Sequence, residues 1–165
     1  MGVLDVILFR HAIAEDRLEF ARSESDDDLR PLTVFGRERL TKVARRFKKL
    51  HSSFDGMISS PLVRAQQTAD VLSAVYGLPF ETWKELRPEA DPMALMELLR
   101  LKDGKYLFVG HEPHLSRFTS LAMSGAPEGS LKVKKSGFVE LRFERVAPGL
   151  GELGGVVAPR HLLKL

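Results

Sequence analysis

Three short segments that lie far apart in the sequence share one arrangement. Each is a run of mostly apolar residues that ends near an arginine or histidine, where a loop or helix is expected to begin. The residues concerned are Arg10 and His11 after residues 3–9, Arg64 after residues 55–58, and His111 after residues 106–109. Because ligands in open α/β sheets bind beyond the carboxyl ends of the strands, we expect these two arginines and two histidines to meet in one crevice.

This set of side chains suits a phosphoryl group. Phosphoryl transfer depends on positioning and on neutralising charge on three equatorial oxygens, and a guanidinium keeps its charge while it donates paired hydrogen bonds. Arg64 is predicted in the first turn of a helix, where free backbone N–H groups and the helix dipole also attract anions. We therefore assign Arg10, Arg64 and His111 to a predicted phosphate pocket.

His11 is the candidate nucleophile, since histidine can form covalent intermediates. It must be neutral to attack, and neighbouring arginines favour the neutral form because like charges disfavour imidazolium. We expect its second ring nitrogen to donate to a backbone carbonyl, which would select one tautomer. His111 would donate to a phosphoryl oxygen and stabilise the charge that develops there. The predicted reaction is in-line attack, a phospho-His11 intermediate, loss of the leaving group and hydrolysis by water.

An oxygen leaving group would also need a general acid. Glu85, in the segment 83–86, is the candidate, and Glu112, Asp16 and Glu15 are weaker ones. Each of these residues could instead be a surface carboxylate. The imidazole of a phosphohistidine leaves phosphorus more easily than an alkoxide does, so Glu85 would be dispensable if phosphohistidine is the substrate.

A metal site formed by His11, His111 and Glu112 is an alternative, because histidine is a common metal ligand. The adjacent charges of Arg10 and Arg64 would repel a cation, so we expect neither a metal nor another cofactor. No convincing constellation surrounds the remaining histidines, which are His51, His114 and His161.

Strand-like and helix-like patterns alternate through most of the chain. Strands are predicted at residues 3–9, 55–59, 80–83 and 106–109, and then without intervening helices at 131–133, 137–143 and 153–157. Helices are predicted to begin after Thr33, at Ser60-Pro61, at Asp91-Pro92 and at Pro113, and to end near Gly77 and Gly125. This order predicts a three-layer α/β/α sandwich with a mixed, mainly parallel sheet, and we expect residues 1–165 to form a single domain.

Charges are segregated along the chain although the net charge is only +3. Seven acids lie between Glu15 and Asp28, and seven bases lie between Arg37 and Lys49. The bases would suit nucleic acid or an acidic partner. We favour a solvated helix face, because net charge indicates solubility more directly than it indicates a binding partner. The two runs could also face each other. Residues 15–30 lack a clear period and could form a functional loop or lid, or a frayed acidic helix and turn.

Composition restricts the class of protein. The chain has 165 residues, 44% of them hydrophobic, and no cysteine, which is typical of a globular protein and excludes disulfides, thiolate metal sites and a cysteine nucleophile. No apolar stretch approaches the length of a membrane span, and the N-terminal segment lacks the basic region of a signal peptide. We expect a cytoplasmic protein without a membrane partner, in an oligomeric state that the sequence does not indicate.

Three segments resemble the signature segments of the histidine phosphatase superfamily, also called phosphoglycerate mutase-like. They are residues 8–12 (LFRHA), 59–69 (SSPLVRAQQTA) and 109–113 (VGHEP). The resemblance implies that fold, with His11 as nucleophile, a phosphate pocket of Arg10, Arg64 and His111, and no metal requirement. Ala12 departs from the pattern, since many members carry glycine after the histidine.

The short length and the segment 30–37 (RPLTVFGR) also resemble the small bacterial phosphohistidine phosphatases of the SixA group. This resemblance implies that the substrate is phosphohistidine in a phosphorelay-type protein, which a shallow site without capping insertions could admit. Two alternatives stay open: a phosphatase of small phosphomonoesters, which a productive Glu85 would favour, and a module that binds phosphate or phosphoproteins without turnover. Mutase activity and nucleic-acid binding are less favoured.

Overall fold

The computed structural model describes residues 2–23 and 26–165; Glu24, one of the acids counted above, lies outside the described residues, as do Met1 and Ser25. The strands in this part of the chain are β1 (Leu4–Arg10), β2 (Gly56–Ser59), β3 (Phe80–Thr82), β4 (Gly104–Gly110), β5 (Phe138–Phe143) and β6 (Glu152–Val157). The α-helices are α1 (Arg17–Ser23), α2 (Val34–Leu50), α3 (Val63–Tyr76), α4 (Pro92–Leu99), α5 (His114–Ser124) and α6 (Pro159–Leu162). Short 3₁₀ helices cover Asp27–Leu29 and Lys84–Leu86.

The strands form one mixed sheet in the order β3-β2-β4-β1-β5-β6. β3, β2, β4 and β1 run parallel to one another, whereas β5 is antiparallel to β1 and β6 is antiparallel to β5. Arg10 pairs with Gly110 and Ser59 pairs with Val109, so the carboxyl ends of β1, β2 and β4 lie side by side. The segments that carry the predicted site residues therefore leave the sheet at the same edge.

Alternate residues of β1 face opposite sides of the sheet. Leu4, Val6 and Leu8 join an apolar cluster with α4 and α5, whereas Ile7 and Phe9 join a second cluster with α2 and α3. A strand that is covered on both faces is apolar along its whole length, which explains the continuous run at 3–9. The predicted three-layer α/β/α sandwich with a mixed, mainly parallel sheet is confirmed. No helix among the described residues is long and apolar enough to cross a membrane.

Most of the predicted helix ends are confirmed. The side chains of Thr33 and Asp91 accept hydrogen bonds from backbone N–H groups in the first turns of α2 and α4. Gly77 and Gly125 adopt left-handed backbone conformations directly after α3 and α5, a conformation that glycine adopts without a steric penalty.

Two predictions of local structure are wrong. Ser60 does not cap α3, which begins at Val63; its hydroxyl is instead within hydrogen-bonding distance of His111. Residues 131–133 form no strand, because their two apolar side chains pack against the cluster beneath α4 and α5 from a loop.

The described part of the acidic segment contains α1 and a 3₁₀ helix, and none of its carboxylates there forms an ion pair with the basic run of α2. Asp27 contacts Arg30 and Arg64 instead, and Asp28 pairs with Arg87 at 2.8 Å. The acidic and basic runs therefore do not form ion pairs with each other among the described residues. Arg30, Arg64 and Arg87 pair with the acids instead.

The first turn of α2 packs against the chain that follows β1. The Thr33 N–H donates to the Ile13 carbonyl oxygen at 3.1 Å, and a methyl group on Gly36 would overlap that same oxygen. Glycine at this position therefore lets α2 approach the backbone two residues beyond His11, and the helix helps to hold that backbone in place.

We expect Gly36→Ala to lower the free energy of unfolding by about 1–3 kcal/mol, as overpacking does elsewhere, because the new methyl group meets the Ile13 carbonyl. Urea denaturation measures the change. Lys42→Ala, on the exposed face of the same helix, is the control and should change stability by less than about 0.5 kcal/mol. A stabilised Gly36→Ala protein, as expected of alanine at an open helix position, would contradict the close packing.

Candidate active site

The structure brings Arg10, His11, Arg64 and His111 to the edge where β1, β2 and β4 end. The His11 N–H donates to the Gly110 carbonyl at 3.0 Å, so the segments after β1 and β4 are joined directly. The rings of His11 and His111 lie with their centroids 5.1 Å apart. Arg64 lies in the first turn of α3, as the sequence predicts.

One tautomer of His11 is selected by its surroundings. Its Nδ1 lies 2.7 Å from the Ala12 carbonyl oxygen, and because a carbonyl oxygen can only accept, Nδ1 carries the proton. The lone pair of the neutral ring then lies on Nε2, the nitrogen available for attack. The expected hydrogen bond from His11 to a backbone carbonyl is present.

Thr68 connects the backbone after His11 to α3. The Ala12 N–H donates to Thr68 Oγ1 at 3.0 Å, and the Thr68 hydroxyl donates to the Arg64 carbonyl at 2.8 Å. Ala12 and Thr68 are fully buried. This pair of hydrogen bonds fixes the nucleophile's loop relative to the helix that carries Arg64. Thr68 lies within the signature-like segment 59–69, but no sequence pattern assigns it a role at the site.

Burial lowers the pKa of His11 to about 3, although the hydrogen bond to Ala12 acts in the opposite direction. The positive charges of Arg64, Arg10 and Lys135 lower the pKa further. His11 is 4% exposed, so water cannot solvate an imidazolium there. The ring is therefore neutral at neutral pH, as a nucleophile requires.

His111 is held by Ser60, which the sequence predicts only as a helix cap. Its Nε2 lies 2.7 Å from Ser60 Oγ, and Ser60 Oγ accepts a hydrogen bond from the Leu62 N–H at 3.3 Å. His111 Nε2 is the only acceptor recorded for the buried Ser60 hydroxyl among the described residues, so we assign the Ser60 proton to this bond and the ring proton to Nδ1. Burial first, and then nearby positive charge such as that of Arg64, lowers the pKa of His111, so the ring is neutral.

The two arginines are held partly by backbone oxygens. Arg10 Nη1 donates to the Val133 carbonyl at 2.8 Å, and Arg64 Nη1 donates to the Asp27 carbonyl at 2.9 Å. Within the described residues, Arg10 Nε, Arg64 Nε and His111 Nδ1 are buried without a hydrogen-bond partner. These unpartnered donors belong to three chain segments that leave the sheet at the same edge, and an anion bound there would offer them acceptors.

Asp27 and Arg30 extend the site beyond the residues that the sequence predicts for it. Asp27 Oδ2 lies 3.1 Å from Arg64 Nη2, and Asp27 Oδ1 accepts a hydrogen bond from Arg30 Nε at 2.8 Å. Burial raises the pKa of the Asp27 carboxyl, but the hydrogen bond from Arg30 and the charges of Arg64 and Arg30 outweigh it and hold this pKa below its ordinary value. Asp27 is therefore ionised and orients Arg64. The sequence around Asp27, a run of three aspartates, does not indicate that this one contacts Arg64.

The structure does not join Glu85 to the four central residues by any hydrogen bond among the described residues. Glu85 lies half-buried on the 3₁₀ helix after β3, whose last residue, Leu86, has its carbonyl oxygen beside Gly110. The role of Glu85 as general acid stays a prediction. Glu112 accepts hydrogen bonds from the Ser116 and Val133 N–H groups.

The two other weaker acid candidates lie on the segment before α1. Asp16 caps that helix by accepting from the Leu18 and Glu19 N–H groups. Glu15 is exposed, and its backbone carbonyl accepts a hydrogen bond from Arg30. These contacts account for Asp16 structurally and leave Glu15 without a contact to the central residues among those described.

The remaining histidines form no hydrogen bond to the central four among the described residues. His51 Nε2 lies 2.7 Å from Glu140 Oε1, and His161 is exposed. His114 is fully buried, and burial, followed by the charge of Arg117, lowers its pKa to about 4. No group of three or more His, Cys, Asp or Glu side chains with the geometry of a metal site occurs within residues 2–23 and 26–165.

Comparison with known proteins connects this geometry to a family. Residues 6–91 match the family model described as histidine phosphatase superfamily (branch 1). An uncharacterized protein of Picosynechococcus sp. is 35% identical over 144 residues, which cover 84% of this chain and 85% of that protein.

Solved structures share the fold. The protein histidine phosphatase SixA, in complex with tungstate, is 23% identical with a TM-score of 0.79, covering 96% of this chain and 99% of that chain. A mutant phosphoserine phosphatase from Entamoeba histolytica, in complex with phosphoserine, is 16% identical with a TM-score of 0.71, covering 97% of this chain and 100% of that chain. At these identities the similarity establishes the fold.

We expect the His11 ring to stay neutral through the range near pH 6.5 in which unperturbed histidines titrate, because its pKa is lowered to about 3. Two-bond ¹H–¹⁵N spectra report both the protonation state and the Nδ1–H tautomer, and His11→Asn assigns the signal. Because unfolded His11 takes up a proton that the folded ring does not, this residue lowers stability as the pH falls below about 6.5. The urea-unfolded chain is the control, and a folded His11 that titrates near pH 6.5 would contradict its buried, cationic setting.

Proposed function

The chain belongs to the histidine phosphatase superfamily and is a phosphatase of that superfamily, and we propose that it removes phosphate from phosphohistidine in a phosphorelay-type protein through a covalent intermediate on His11. The observation that carries this proposal is the meeting of a neutral His11, whose Nδ1 is held by Ala12, with Arg10, Arg64 and His111. We further propose that residues 1–165 act as one histidine phosphatase domain.

In the first proposed step, His11 Nε2 attacks phosphorus in line with the bond to the leaving group. The new P–N bond forms as the bond from phosphorus to the substrate imidazole breaks, and the released imidazole takes a proton from solvent. Arg10 and Arg64 neutralise the equatorial oxygens, and His111 Nδ1–H donates to one of them. Water then attacks phospho-His11, which yields inorganic phosphate and returns neutral His11.

The neutral state of both rings supports this mechanism. An imidazolium at His11 would have no lone pair on Nε2, and burial together with the arginine charges lowers its pKa to about 3. The Ser60 hydroxyl directs the His111 proton to Nδ1, so His111 donates a hydrogen bond without carrying a full charge. The attacking and stabilising roles are thereby divided between two histidines of the same protonation state.

The carboxylates around the site favour a leaving group that needs little acid assistance. Asp27, which contacts Arg64, has a pKa below its ordinary value and is ionised. Glu85 forms no hydrogen bond to the four central residues among those described. The imidazole of a phosphohistidine departs from phosphorus more easily than an alkoxide does, which supports phosphohistidine as the substrate. The fold similarity to a protein histidine phosphatase agrees with this proposal.

A phosphatase of small phosphomonoesters is the second candidate. Glu85 favours it, because this residue is half-buried on the 3₁₀ helix whose end lies beside Gly110, the residue before His111. The fold similarity to a phosphoserine phosphatase is compatible with this alternative.

We expect wild-type protein to release phosphate from a phosphohistidine-bearing protein domain in the presence of EDTA, and His11→Ala to lose at least about 10³-fold of that activity, because it lacks the nucleophile. His161→Ala, which alters an exposed histidine, is the matched control and should retain wild-type turnover. Rapid quenching in alkali, which preserves phosphohistidine, should trap phosphorylated wild-type enzyme and none in His11→Ala.

The same assay with an aryl phosphate separates the alternatives. Activity on the aryl ester alone would favour the small-phosphomonoester function. Absence of turnover on both substrates, with retained phosphate binding, would support a binding module and contradict the enzymatic proposal.

We expect Glu85→Gln to affect the aryl ester more than phosphohistidine, because the oxygen leaving group depends more on a proton from a general acid. A loss of about tenfold or more in kcat on the ester, with kcat on phosphohistidine retained, would assign the acid to Glu85. Glu81→Gln, on the exposed neighbouring strand β3, serves as the control. Equal effects of Glu85→Gln on both substrates would count against a role in leaving-group protonation.

A further inference from the structure

A basic cleft adjoins the candidate active site. It has a volume of about 490 Å³ and is lined by Arg10, Ile13, Arg39, Lys134, Lys135, Ala158, Pro159 and Arg160. Arg10 belongs both to this cleft and to the predicted phosphate pocket, so the cleft lies next to that pocket. The volume lies within the range of roughly 300–1,000 Å³ that is typical of ligand sites and exceeds what a phosphoryl group alone would fill.

The cleft is fastened to the nucleophile's loop. The Ser136 N–H donates to the carbonyl oxygens of Arg10 and His11 at 3.1 and 3.2 Å, and Arg10 Nη1 donates to the Val133 carbonyl at 2.8 Å. Lys134 and Lys135 stand between these two attachment points. The backbone that carries the two lysines is therefore fixed next to the backbone of Arg10 and His11.

The cleft carries an excess of positive charge. None of its five cations forms an ion pair with a carboxylate in the part of the chain that the structure describes. Burial, followed by the charges of Arg10, Arg30 and Arg17, lowers the pKa of Lys135, and Asp16 acts in the opposite direction. Glu112 has a similar opposing effect on the pKa of Arg10. An anionic ligand would relieve this repulsion.

We propose that this cleft binds carboxylates of an acidic segment that flanks the phosphohistidine in the substrate protein. This inference rests on the proposed function, and it adds the chemical class of the residues around the phosphorylated histidine. Lys134, Lys135 and Arg160 are exposed and lie on two separate chain segments, so they can contact several carboxylates of a protein surface. No aromatic residue lines the cleft, which disfavours nucleic acid because single strands are bound largely by base stacking.

A second basic surface on the same helix as Arg39 provides a matched control. Lys42, Arg45, Arg46 and Lys49 of α2, with Leu163, line a separate pocket that includes none of the four central residues. Arg39 and Arg160 are the best positions to change in the cleft, because neither is among the charges that affect the pKa of His11. Arg39→Gln/Arg160→Gln and Arg45→Gln/Lys49→Gln then remove equal charge from the two surfaces.

The experiment compares two peptides of equal length, each phosphorylated on a single histidine, with glutamates beside it in one and glutamines in the other. We expect wild type to favour the glutamate peptide by about tenfold in kcat/KM at low salt. The ratio should fall toward unity in Arg39→Gln/Arg160→Gln and in Lys134→Gln, and stay at the wild-type value in Arg45→Gln/Lys49→Gln. The ratio also corrects for any loss of folded protein. Salt at about 0.5 M should reduce the preference.

Equal kcat/KM for the two peptides in wild type, or a preference that the cleft variants retain, would overturn the cleft as the acidic-segment site while leaving the proposed phosphatase function intact. Equal loss of preference in the control variant would overturn it too, since net charge alone would then explain selectivity. Turnover of neither peptide, with turnover of an aryl phosphate, would contradict the proposed substrate class and overturn this inference with it.

Discussion

Positive charge buried at the carboxyl ends of β1, β2 and β4 is the constraint on which the site depends. Arg10 and Arg64 remain charged because guanidinium does not lose its proton in proteins, even though burial lowers the pKa of both. Their charges, together with burial, keep His11 neutral. Burial is the larger cause of the neutral His11, and the same charges that attract a phosphoryl anion add to it.

Holding these charges in place requires acceptors that do not compete fully with the anion. Backbone carbonyls supply much of this, since Val133 accepts from Arg10 and Asp27 accepts from Arg64. The Asp27 carboxylate adds a charged contact to Arg64 and is itself held by Arg30. The acidic segment therefore contributes an orienting residue, and several donor atoms still lack partners among the described residues.

The two basic surfaces show why position matters more than charge count. The bases along the second half of α2 line a pocket separate from the central residues, whereas Lys134 and Lys135 stand on a loop bonded to the backbone of Arg10 and His11. Only the second group can influence a ligand that is also bound at the phosphate pocket. Electrostatic contacts between exposed groups weaken over about a Debye length, so this proximity decides which bases can select a substrate.

The sequence by itself determined the alternating elements, the sandwich, and the segments that carry Arg10, His11, Arg64 and His111, because apolar periodicity and capping residues act locally. The tertiary structure decided which distant groups complete the site. The contacts of Asp27 with Arg64, Ser60 with His111 and Thr68 with Ala12 join residues far apart in the chain, and no local pattern encodes them. The prediction of a strand at 131–133 is wrong for the same reason: burial of its side chains is visible in the local sequence, but the lack of a neighbouring strand to pair with is decided by the fold.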